Sequence, residues 1–369
     1  MSSIWKIIPL AEVVDLHRGF ELASDKRIPG PYPVLSAGTI AGSHSESRIK
    51  GPGFAIGRAT NLGVPVWSDS DFWPLNTTLY ASDFKGNDPR WLYHLFQTMD
   101  LSGYDSGSVQ PMLNRNYISD IPISVPPIQT QHAIAEVLSA LDEKIAASSQ
   151  IVSSGLHLID AIYLRTPKHR SESTFEEVAT VKGGATPSTK VDEFWNGPHN
   201  WATPSDITAL DGPWLSSTDR KITDSGLQKI TSDLYPSGSI LMTSRASIGH
   251  YAIAAEPTAV NQGFIVLNAH DSALQPWLFA QLRHRTSEFI AWANGATFLE
   301  LPKGVFKKLP VDLPEAPLDE YAAKVNPLLD RIRTAQQESR TLAATRDELL
   351  PLLMSGRITV ADAEKRITE

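Results

Sequence analysis

The side chains able to do chemistry are spread along this sequence without forming a catalytic pattern. A phosphate loop needs Gly-x-x-x-x-Gly-Lys-Ser/Thr, so that backbone N–H groups and one lysine face the same phosphates. Gly183-Gly184 with Lys190 has the wrong spacing, and no hydroxyl residue follows that lysine. A helical zinc site of the His-Glu-x-x-His type is absent, the ten histidines are scattered and cysteine is missing altogether, which excludes disulfides and thiolate metal sites. Asp69 and Asp71 stand close together but lack a Glu-x-Lys partner, so they read as a solvated turn. No Asn-Pro-Pro or Asp-Pro-Pro segment ending in an aromatic residue is present, as a methyltransferase acting on amino groups would need. The expectation is a chain with no catalytic residue, no metal and no cofactor of its own.

Binding chemistry is better represented. Basic residues cluster on segments that read as loops: Lys26-Arg27, Arg48 with Lys50, Arg58 and Arg115 in the first half, then Lys190, Arg220-Lys221, Arg245, Arg283-His284-Arg285, Lys303 and Lys307-Lys308 in the second. Arg and Lys on loops bind phosphates or read guanine edges, while Asn and Gln suit adenine. Gln110, Asn114 and Asn116 fit the latter role. Any one of these taken singly is as well explained as a solvated surface charge. Bulk charge opposes the idea mildly: the formal net charge is −8. A reader of nucleic acid with that balance needs local basic patches or a partner that supplies the electrostatics.

What must position these residues is a duplicated framework. Gly53-Phe54-Ala55-Ile56-Gly57-Arg58-Ala59-Thr60 resembles Ile240-Leu241-Met242-Thr243-Ser244-Arg245-Ala246-Ser247. The same order then recurs half a chain later. Leu75-Asn76 matches Val260-Asn261, Pro89-Arg90-Trp91-Leu92 matches Pro276-Trp277-Leu278, Ser106-Gly107-Ser108 matches Asn294-Gly295-Ala296, and Ile121-Pro122-Ile123 matches Leu309-Pro310-Val311. One unit is thus present twice. Arg58 and Arg245 read as occupying one place in both copies, and sequence-reading residues are expected where the copies diverge: 36–50 against 203–221, and 109–116 against 297–305. Trp91 and Trp277, on helices, read as core residues. The globular parts show short β-branched and aromatic runs between turn residues, so a twisted, partly barrel-like sheet with flanking helices is expected.

Each copy runs into a long helix. In the first, Ile134, Leu138, Leu141, Ile145, Ser148, Val152, Gly155, Ile159 and Ile162 alternate steps of four and three; in the second, Tyr321, Val325, Leu328, Ile332, Ala335, Ser339, Leu342, Arg346, Leu349 and Leu353 do the same. Ser148, Ala335 and Ser339 let two backbones approach, so the helices are expected to pair, antiparallel, each ~50 Å long at 1.5 Å per residue. Pro327 should kink the second helix or mark a late start. The expected class is α+β with pseudo-two-fold symmetry. Its segments are modules at 1–128 and 167–314, a central helix at 129–166, a distal helix at 315–357 and a tail at 358–369. With no apolar run of membrane-spanning length and no signal-like start, a soluble cytoplasmic protein is expected.

The segment Ile121-Pro122-Ile123-Ser124-Val125-Pro126-Pro127-Ile128-Gln129-Thr130-Gln131, leading to Leu138-Ser139-Ala140-Leu141-Asp142-Glu143-Lys144-Ile145, resembles the proline segment and following helix of type I restriction–modification specificity subunits. Leu309-Pro310-Val311-Asp312-Leu313-Pro314 is a looser second copy, with Tyr321 where the family has Gln, and Leu353-Met354-Ser355-Gly356-Arg357-Ile358 resembles the end of the distal helix. The resemblance covers nearly the whole chain. It implies a non-catalytic subunit whose two modules each recognise half of a bipartite double-stranded DNA target while the helices fix the unread spacer. It also implies docking of two methyltransferase subunits, which hold S-adenosylmethionine, and joining by a nuclease–translocase subunit. The alternative is a coiled-coil scaffold that binds proteins and not DNA.

Overall fold

The computed structural model describes residues 5–104, 112–230, 232–295 and 299–368. The chain divides into two compact units. Unit 1 comprises Met1–Ile145 with Thr341–Glu369, and unit 2 comprises Ala146–Arg340. The division falls inside both long helices, Ile128–Arg165 and Leu318–Met354. Each long helix thus contributes one part to either unit.

Unit 1 holds β1 (Lys6–Pro9), β2 (Asp15–Arg18), β3 (Tyr32–Ser36), β4 (Thr39–His44), β5 (Gly53–Gly57), β6 (Pro65–Ser68), β7 (Trp73–Pro74), β8 (Thr78–Asp83) and β9 (Pro122–Val125). They form a sheet of order β2-β8-β5-β6, a smaller sheet β4-β3-β7 and the pair β1-β9. Two sheets, rather than one barrel-like sheet, follow from the central strand. Phe54 and Ile56 of β5 join the core under the helix Pro89–Thr98, whereas Ala55 packs with Leu35, Val66 and Phe72 on the opposite face. A strand alternates its side chains between faces, so an unbroken apolar run means both faces are covered. The helix starts where Asp88 accepts the Trp91 N–H at 2.8 Å, with Pro89 at its first turn. Trp91 is completely buried.

Unit 2 repeats this plan with β10 (Lys168–Thr174), β11 (Ala179–Gly183), β12 (Trp195–Ala202), β13 (Trp214–Leu215), β14 (Lys221–Ile222), β15 (Ile240–Thr243), β16 (Tyr251–Ala254), β17 (Thr258–Val260), β18 (Phe264–Ala269) and β19 (Pro310–Pro314). The orders are β11-β18-β15-β16-β13, β14-β12-β17 and β10-β19. Strand for strand this is unit 1 with one addition, β13, which pairs parallel to β16. Again the central strand divides its faces: Ile240 and Met242 join one core, Leu241 another. After β18 the chain forms two helices, Gln275–His284 and Thr286–Ala291, which meet at Arg285, a buried guanidinium bonded to Glu288 and the Pro310 carbonyl.

The long helices run antiparallel within each unit. In unit 1, Ile134, Leu138, Leu141, Leu349 and Leu353 share one buried cluster with Leu342 at its edge, and Arg346 bonds Asp142 at 2.9 Å. In unit 2, Val152, Ile159, Val325, Ile332 and Ala335 are buried together, with Ser148 bonded to Glu338 at 3.3 Å. Ile145 is half-buried and lies in neither cluster; Leu328 is half-buried where Leu329 is buried, and Tyr163 is buried where the seam names Ile162. A straight helix turns every 3.6 residues, so a strict 3.5-residue seam drifts off the contact face. Pro327 lies inside the second helix without ending it. In the C-terminal tail, Thr359 and Asp362 cap a helix over Val360–Thr368, and its Ala363 is fully buried.

Candidate nucleic-acid interface

In unit 1 the exposed end of the larger sheet gathers cations. Strand β2 ends in His17-Arg18, and Arg58 follows β5. The Leu113 N–H bonds the Arg58 carbonyl at 2.8 Å and brings Asn114 and Arg115 alongside. Arg115 donates to the Leu16 carbonyl at 3.1 Å, and Asn114 accepts from the Asn116 N–H at 3.0 Å. His17, Arg18, Arg58, Leu113, Asn114 and Arg115 line a concavity of about 520 Å³. Burial lowers the affinity of the Arg58 guanidinium for its proton, and the like charge of Arg18 lowers it further.

An aromatic path leads away from it. His17 lies against Tyr80, Tyr80 stacks on Phe20 with centroids 5.8 Å apart, and Phe20 meets Trp73 edge-on. Arg48 lies over Trp73 at 4.7 Å and over Phe20 at 5.8 Å. Arg48, Arg58, Asn114 and Arg115 therefore border one surface. Lys50 is engaged elsewhere: its ammonium bonds Asp71 at 2.7 Å, and that carboxylate holds it above its ordinary range. Arg27 donates to the Ala41 carbonyl at 2.6 Å and serves the fold, while Lys26 is exposed on a short turn. Gln110 lies outside the described residues.

In unit 2 more of the cations are engaged. Arg245 pairs with Glu300 at 2.9 Å, and Lys307 lies 3.9 Å from Glu176. Arg220 sits 3.5 Å over the Trp195 ring, with Trp201 also in reach. Lys190, Lys221 and Lys303 have no ion-pair partner among the described residues; Lys221 lies in β14 opposite Asn200. Lys303 reaches over the backbone of Gly183, where an added Cβ would stand 3.2 Å from its Nζ.

The bond register corrects the equivalence of Arg58 and Arg245. Gly57 pairs with Thr78 and Thr243 with Phe264. The Arg58 N–H bonds the Thr77 carbonyl and the Ser244 N–H bonds the Gly263 carbonyl; the Leu113 and Leu301 N–H groups then bond the carbonyls of Arg58 and Ser244. Arg58 thus corresponds to Ser244, and Arg245 lies one residue further on. A slip of one residue turns a strand side chain to the other face, which agrees with Arg58 lining the concavity while Arg245 meets Glu300. Trp91 and Trp277 are both fully buried, so neither is available to a base.

Sequence reasoning missed His17, Arg18, Phe20, Trp73 and Tyr80. A signal was available in His17-Arg18-Gly19-Phe20 against Lys182-Gly183-Gly184-Ala185. At Gly19 an added Cβ would fall 2.2 Å from the Leu75 carbonyl oxygen, and at Gly184 it would fall 2.0 Å from that of Val260. Both copies need glycine where two backbones touch, which fixes the register of the cations just before it. The site can hold anions and stack planar groups. Among the described residues no group of three or more His, Asp or Glu is placed to hold a metal, and no helix is long and apolar enough to cross a membrane.

Residues 3–153 and 167–337 each match the family model described as the type I restriction modification DNA specificity domain. The MjaIX type I restriction enzyme specificity subunit of Methanocaldococcus jannaschii is 32% identical over 163 residues, 44% of this chain and 38% of that protein. The match therefore spans well under half of that relative. The EcoR124I/EcoR124II specificity subunit of Escherichia coli is 23% identical over 316 residues, 78% of this chain and 76% of that protein. The S subunit structure from M. genitalium aligns with 95% of this chain and 96% of its own, at a TM-score of 0.67 and 16% identity, a likeness of fold.

Proposed function

Because the chain belongs to the type I restriction modification DNA specificity family, we propose that it is the non-catalytic DNA-reading subunit of a type I complex. Each module, 1–128 and 167–314, reads one half of a bipartite, asymmetric duplex target. The helix residues between the modules set the length of the unread spacer. The helices also dock two methyltransferase subunits, whose S-adenosylmethionine supplies the methyl group for adenine; a nuclease–translocase subunit joins for cleavage. The complex works in the cytoplasm.

One observation carries this reading: the same strand order is built twice, while the cations on the two copies differ. A shared frame with divergent surfaces suits two related tasks on two sequences, since base edges are read by side chains and not by strand order. Partner subunits supply the rest of the phosphate binding that a chain of net charge −8 lacks.

Co-expression with a methyltransferase subunit, followed by methylome sequencing, tests the reading. A single two-part adenine motif is expected. Absence of any motif would instead favour a scaffold that binds proteins alone. Replacing residues 172–314 by a foreign module should change one half of the motif; a change in both halves would contradict the module boundaries.

A further inference from the structure

The two units carry unequal cation sets at one equivalent place. Pairing of β2 with β8 and of β11 with β18 sets His17 against Lys182 and Arg18 against Gly183. The bonds to the Leu113 and Leu301 N–H groups set Arg58 against Ser244, and Arg115 then matches Lys303. Where unit 1 has His17, Arg18, Arg58 and Arg115, unit 2 has Lys182, Gly183, Ser244 and Lys303. Ser244 is buried, and Lys182 is bonded to Asp233.

In unit 1 this place is the concavity of about 520 Å³, and no carboxylate is among the described residues that line it. Arg58 is partly desolvated there and feels the charge of Arg18. Like charges held together without a counter-ion are unfavourable in a region of reduced dielectric, and an anion entering between them relieves the repulsion. A guanine edge offers one arginine two neutral acceptors. Several converging cations in a concave site suit a full negative charge better.

We propose that this concavity of unit 1 grips a backbone phosphodiester of the DNA, and that unit 2 has no equal grip at the corresponding place. The inference rests on the DNA-reading function proposed above and adds where its sequence-independent contact is concentrated. Arg58 and Arg18 hold the phosphate, Arg115 and His17 flank it, and Arg48 with its aromatic neighbours continues the surface along the strand.

The test uses the full chain in complex with its methyltransferase subunit, and fluorescent duplexes with and without the methylated motif, titrated across salt. Arg58→Gln should weaken both duplexes alike and make the slope of log K against log salt shallower by about 0.9, one phosphate contact. Over a fourfold rise in salt, wild type should lose about 3.5-fold more affinity than the variant. Arg18→Gln, at an exposed strand end where folding is not at stake, should act in the same direction, and Lys303→Gln should change the slope less than either. The methylated motif should stay the same in all three.

An unchanged slope in both arginine variants overturns the proposal. So does a Lys303 effect as large as that of Arg58, or a changed base preference in one half-site. If Arg58→Gln leaves DNA binding intact but abolishes thermal stabilisation by inorganic phosphate, the site serves a free anion and the proposal falls. Failure of the wild-type complex to bind any duplex would remove the DNA-reading function itself, a result distinguishable from all of these.

Discussion

Units 1 and 2 share a strand order and differ in how they balance charge. Unit 1 leaves guanidinium groups facing solvent at the end of its larger sheet and ties few of them to carboxylates. Unit 2 engages its arginines internally: Arg170 and Arg285 converge on Glu288, Arg283 pairs with Asp160, and Arg245 pairs with Glu300. The comparison teaches that a count of basic residues is a poor guide to a binding surface. Unit 2 is the richer in candidate cations by sequence, yet four of them, Arg245, Arg283, Arg285 and Lys307, lie against carboxylates, whereas among the unit 1 candidates Lys50 does.

The largest expected effects concern the two cores. Trp91→Ala and Trp277→Ala should each destabilise their own unit by about 3–5 kcal/mol, read as lost hydrogen-exchange protection in β5 or β15. The phenylalanine variants sharpen the contrast. The Trp277 Nε1–H donates to the Asp312 carbonyl at 2.7 Å, whereas the Trp91 Nε1–H is buried without a partner. Trp277→Phe should therefore cost about 1 kcal/mol more than Trp91→Phe in urea unfolding. Equal costs would erase this difference between the units.

A smaller effect is expected at the helix pair of unit 2. A Cβ on Gly155 would stand 2.7 Å from Ile332 Cγ1. Gly155→Ala gains helix propensity but must push that side chain aside, so a net loss of about 1 kcal/mol is expected. A stabilised variant in thermal melts would mean that the helices separate easily there.

The smallest effects are in pH dependence, and they should separate the units. In unit 1 burial holds His94 below its ordinary 6.5, opposed by its Gln97 bond and by Asp142, and supported by Arg90 and Arg346. The unfolded chain then takes up the proton first. Stability is full above about pH 6.5 and falls as pH drops through that range. In unit 2 hydrogen bonds from Arg285 hold Glu288 at about 2 against burial, with Arg170 adding to them. That contribution is present above 4.5 and is lost only as pH falls from 4.5 towards 2. Exchange protection followed with pH should fail first in unit 1, and His94→Gln should flatten that first loss. Simultaneous failure of both units would count against the assignment.

Much of the architecture was legible because it rests on local rules. The apolar runs of β5 and β15, the proline-started helices and the existence of two long helices are patterns of spacing, which survive into the structure, while the exact seam residues drift with the 3.6-residue turn. The C-terminal helix was legible in principle through Thr359-x-x-Asp362, a capping pattern ahead of Val360, but it is short and has only a narrow apolar face. The binding surface was legible only in part. Arg48, Arg58, Asn114 and Arg115 could be named from their types, but His17 and Arg18 sit in a strand, where basic residues look like ordinary solvated positions, and Phe20 lies just beyond it.

Residue order alone determined that one module is built twice, that each copy leads into a long helix, and that no familiar catalytic motif is present, since each of these follows from periodicity or from required spacing. Only tertiary structure decided which cations are free. Whether an arginine meets a carboxylate depends on hydrogen-bond register between strands far apart in the chain, and a shift of one residue, as between Arg58 and Arg245, turns the side chain from an open concavity to an ion pair.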